Sequence, residues 1–76
     1  MTAETIVQKF MQEARRPVSA LNLRALARQL CVNALGLGCT NGLEELVSDV
    51  FSRLQVEWSE NRLQGDGRRF YVRTAT

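Results

Sequence analysis

The sequence predicts a small α+β domain, three helices followed by a C-terminal β-hairpin, and three observations carry that expectation. Leu43, Leu46, Val47, Val50, Phe51 and Leu54 recur at the i, i+3, i+4, i+7 spacing of a helix with one buried stripe. Two earlier stretches repeat that spacing, one ending before Pro17 and the other before a glycine-punctuated loop. Beyond Leu54 the period changes to alternation, and Gly65-Asp66-Gly67 supplies a hairpin turn signal. The 76 residues form one domain, residues 1–76, close to the smallest size at which an apolar core suffices alone. With 45% hydrophobic and 24% charged residues, the chain is too apolar to stay disordered.

The helix at 43–54 is the best specified element. Asn41 is placed to accept a free amide of its first turn while Glu44 reaches back, a capping box. The first helix starts after Thr2, carries Glu4 near its positive end, and runs through Ile6, Val7, Phe10, Met11 and Ala14 to about Arg15. Pro17 stops it, because the residue before proline resists the helical region. Arg15 and Arg16 then sit where the carbonyl end of the helix dipole favours cations.

Val18 to Leu21 is a connector able to pair as a minimal strand. Asn22 caps the second helix, LRALARQLCVNAL, whose buried stripe is Leu23, Leu26, Ala27, Leu30 and Ala34. Arg24 and Arg28 lie one turn apart on its flank. The following loop, GLGCTNG, is not a phosphate-binding loop: it lacks the preceding strand and the trailing Lys-Ser/Thr. Gly36, Gly38 and Gly42 are instead expected to serve as caps and turns.

After Leu54, Val56 and Trp58 are expected on one side of a strand. Arg69 to Thr74 form its partner, with Phe70 and Val72 sharing a face. Two registers are open. A two-residue Asp66-Gly67 turn sets Leu63 opposite Phe70, whereas a three-residue turn puts Trp58 on the face of Phe70 and Val72; the second gathers the large apolar groups and is preferred. Phe10, Phe51, Trp58 and Phe70 are all expected in the core.

Net charge is only +2, so distribution matters more than the total. The central segment, residues 41–55, sets one cation, Arg53, against Glu44, Glu45 and Asp49 and is acidic, while the flanking segments are basic. Nine of the ten basic residues are Arg, whose planar fork suits phosphate and carboxylate, although a biased base composition would also produce them. There is no His, and Cys31 and Cys39 are the only cysteines, expected as buried thiols; neither a zinc site, a cofactor site nor an acid–base or nucleophilic centre has its ligands or partners. An enzyme is not expected. No signal peptide and no apolar run of membrane-spanning length is present, so a cytoplasmic protein without a membrane partner is expected.

The order of elements, with Leu26-Ala27-Arg28-Gln29-Leu30-Cys31-Val32-Asn33 entering a turn and Gly67-Arg68-Arg69-Phe70-Tyr71-Val72-Arg73 as a wing, resembles a winged helix-turn-helix domain over roughly residues 3–74. Two departures stand out. Ala34 to Gly42 lengthen the turn, and the helix in the recognition position carries Glu44, Glu45 and Asp49 outward, where carboxylates repel phosphates. The resemblance implies a non-enzymatic regulator of transcription or replication that binds double-stranded DNA. Its contacts would be Arg62, Arg68, Arg69, Tyr71 and Arg73 of the hairpin, with Arg24, Arg28 and Arg53 on the helices, and a homodimer would strengthen a meagre set of phosphate contacts. The alternative is a protein-binding adaptor or inhibitor that docks a basic protein surface through Glu44, Glu45 and Asp49.

Overall fold

The structure is a computed structural model describing residues 2–36 and 41–73. The expected strand end at Thr74, together with Gly38 and Cys39, lies outside the described residues. The described residues form an α+β domain of three helices and a three-stranded antiparallel sheet, in the order α1 (Ala3–Glu13), β1 (Val18–Ser19), α2 (Leu23–Leu35), α3 (Leu43–Ser59), β2 (Leu63–Asp66), β3 (Arg69–Val72).

Thr2 caps α1 as expected, its hydroxyl accepting from the Thr5 amide at 3.2 Å. The helix stops at Glu13, two residues short of the expected end, because the chain must straighten through Ala14 (ψ 111°) to enter β1. Arg15 and Arg16 therefore lie beyond the helix and do not serve its last turn. Asn22 caps α2 through a 2.8 Å bond from the Ala25 amide.

At α3 the expected capping box is absent. Gly42, at φ 73°, occupies the cap position with no side-chain bond, and the Glu44 carboxylate turns instead to the guanidinium of Arg28. A charge-assisted bond outcompetes a neutral amide.

The expected strand at Val56–Ser59 is also not formed, since α3 continues for 17 residues to Ser59. No glycine or proline interrupts it, and Val50, Leu54 and Trp58 keep the four-residue spacing of the buried stripe. What ends the helix is Asn61, at φ 63°. Its amide bonds the Trp58 carbonyl at 3.0 Å and that of Arg62 bonds the Glu57 carbonyl at 2.9 Å, the paired closure of a Schellman motif.

The hairpin takes neither expected register. Leu63 faces Val72, Gly65 faces Phe70 and Asp66 faces Arg69, so the two-residue turn is Gly67-Arg68. Gly67, at φ 70°, occupies the first turn position, where a type II′ turn needs positive φ. β3 is the central strand, because β1 pairs on its other side with Val18 opposite Phe70 and Ser19 opposite Arg69. One face of the sheet, with Leu63 and Phe70, closes over Ile6, Val7 and Phe10 of α1, Leu26 and Cys31 of α2, and Val47, Val50 and Leu54 of α3.

Two aromatics depart from the core expectation. Phe51 is half-buried beneath Arg24, and Trp58 remains 44% exposed, its ring lying edge-on to Phe70 at 6.1 Å. Trp58 lies over Gly65, whose absent side chain makes room for it: a Cβ there would meet two Trp58 ring carbons at 3.0 Å and Phe70 at 3.1 Å. Gly65→Ala is therefore expected to destabilise the domain by about 1–3 kcal/mol, the usual range for overpacking. Urea unfolding measures it, and an unchanged midpoint would show that the indole swings aside freely.

Candidate nucleic-acid interface

Strand alternation divides the hairpin into two faces. Leu63, Gly65, Phe70 and Val72 turn inward; Gln64, Asp66, Arg69 and Tyr71 turn outward. The Arg73 amide donates to the Arg62 carbonyl at 2.8 Å, continuing the β2–β3 register one step beyond the strands. Arg69, Tyr71 and Arg73 thus form one outward row, successive members about 7 Å apart. Ser19, opposite Arg69, and Gln64, opposite Tyr71, flank the row with hydrogen-bonding groups. These two neighbours were not among the expected contacts, because nothing local in the sequence reveals which strand residues meet.

The eight residues expected to contact nucleic acid do not form one surface. Arg68, Arg69, Tyr71 and Arg73 gather on the hairpin. Arg69 lies 3.5 Å from Asp66 in a pair that is well exposed on both sides, and such pairs exchange readily for another anion. Arg68 and Arg73 have no carboxylate within 4.0 Å among the described residues.

Arg62, opposite Arg73 by that register, is already engaged by carboxylates. Its guanidinium donates to Glu57 and to Glu60, and these two bonds raise its pKa above the ordinary arginine value, so its charge is spent at the junction of α3 and β2. Arg28 donates to Glu44 at 2.5 Å, and Arg24 lies 4.0 Å from the same carboxylate with its guanidinium 5.8 Å from the Phe51 ring centre. Both therefore join α2 to the start of α3. Arg53 lies nine residues after Glu44, about half a turn around the helix axis from it, and lines a groove against Gln8 and Met11 of α1.

The acidic set is reduced as well. Glu44 is engaged by the two α2 arginines, leaving Glu45 and Asp49 exposed on α3 with no cation within 4.0 Å among the described residues. Cys31 is fully buried, and burial pushes its thiol pKa up against the lowering influence of Arg28, so it packs as a neutral apolar group. Among the described residues no three His, Cys, Asp or Glu side chains are grouped to hold a metal, and no helix is long and apolar enough to cross a membrane. Comparison of the chain with protein-family models, curated proteins and solved structures finds no match in any of the three.

Proposed function

We infer that this is a non-enzymatic, winged-helix-like regulatory domain that binds nucleic acid through its hairpin. The single observation carrying the reading is the outward row Arg69, Tyr71, Arg73 with Arg68 at the turn beside it. The element order supports it, since the short strand between the first two helices pairs with the last strand and ties the hairpin to the helical body. Helix α3 contributes little to the contact. Its outward Glu45 and Asp49 repel phosphates, so attraction comes from the three hairpin arginines and is sequence-independent.

Anisotropy titration of labelled duplex and single-stranded oligonucleotides at several salt concentrations tests this. Three phosphate contacts predict that log K falls with log salt at a slope of about −2 to −3, depending on strand type. Arg68→Gln, Arg69→Gln and Arg73→Gln together should flatten that slope, while Arg24→Gln and Arg28→Gln should leave it nearly unchanged. Absence of salt-dependent binding to both oligonucleotides at micromolar protein would end the proposal.

A further inference from the structure

We propose that the hairpin face selects single-stranded over double-stranded nucleic acid, with Tyr71 as a stacking platform; this rests on the reading just given. Tyr71 is 36% exposed at the centre of the outward row, with an arginine two residues to either side. An exposed ring at the middle of a basic sheet row offers what an unpaired base needs, a flat apolar surface with cations for the phosphates on either side. Gln64 and Ser19, opposite Tyr71 and Arg69, supply amide and hydroxyl groups that can bond exposed base edges. In a duplex those edges face each other and the π-faces are stacked away, so neither Tyr71 nor Gln64 has an equivalent partner.

Charge points the same way. A duplex is stiff, so its phosphates keep a fixed spacing that cannot adjust to a short row of arginines. A single strand is flexible and can follow the arginine row alone. Asp66 of β2, opposite Arg69, is the one outward carboxylate on the paired strands, and its pairing with Arg69 leaves the net charge of the row positive.

The experiment compares a labelled 12-nucleotide single strand with the corresponding 12-base-pair duplex at fixed salt, using wild type, Tyr71→Phe and Tyr71→Ala, each checked for an unchanged thermal melt. The single strand should bind at least about tenfold more tightly than the duplex. Tyr71→Ala should weaken single-strand binding about five- to hundredfold, the range for one stacked base, with little effect on the duplex, and Tyr71→Phe should retain it. Should Tyr71→Ala fail to fold, Tyr71→Thr, a strand former without a ring, takes its place. Equal or tighter duplex binding, or an equal loss in Tyr71→Phe and Tyr71→Ala, overturns the single-strand selectivity while leaving hairpin binding intact. No binding of either oligonucleotide overturns both.

Discussion

Phe70→Ala is expected to lower stability by about 3–5 kcal/mol, the range for emptying a buried aromatic site. A domain of this size rarely has more than about 3–5 kcal/mol to lose, so the variant should be largely unfolded at room temperature. The reason is position. Phe70 is 5% exposed on the central strand, opposite Val18 on β1 and Gly65 on β2, and the edge of the Trp58 ring lies against it. Its removal takes away the group on which both strand pairings and the end of α3 converge. Trp58 is the only tryptophan, so its fluorescence during urea unfolding reports the change directly. A loss below about 1 kcal/mol would mean that the sheet does not depend on this contact.

The second large effect is expected at Leu54→Ala, about 2–5 kcal/mol by the same measurement. Leu54 has no exposed surface and lies in the third quarter of α3, the helix that packs against α1, α2 and β2. Truncation there leaves a void in a core to which all three helices contribute, and groups fixed on separate elements cannot close over it together. A small loss with intact helicity would show instead that α3 can slide to fill the space.

The helices were legible because their information is local. Thr2 and Asn22 cap as read, and the stripe from Leu43 to Leu54 is buried or half-buried throughout. The stretch after Leu54 was misread for a physical reason: Val56-Glu57-Trp58-Ser59 satisfies a period of two and, joined to Val50 and Leu54, equally a period near four. Only the left-handed Asn61 marks the true end, and a single asparagine is a weak signal.

The hairpin turn lies one residue beyond the Asp66-Gly67 alternative and starts two beyond the preferred three-residue turn, because the register depends on which position takes positive φ and both Gly65 and Gly67 are candidates by type. Close packing of Trp58 over Gly65 explains the first glycine, and the turn explains the second. Of the candidate contacts, clustering on the hairpin could be read from spacing alone. The loss of Arg24 and Arg28 to Glu44 could not, because Arg28 and Glu44 are 16 residues apart and meet only through the packing of α2 on α3.

The joint between α3 and β2 bears on the proposed binding of nucleic acid. Asn61 closes the helix, Arg62 is tethered to Glu57 and Glu60 on the preceding turns, and its carbonyl receives the Arg73 amide from the far strand. The hairpin is thereby preorganised, its angle to the helical body set before any ligand arrives. In the proposed association with nucleic acid, little ordering entropy would then be lost at the hinge, so a modest set of cations would not be further weakened by a swinging arm.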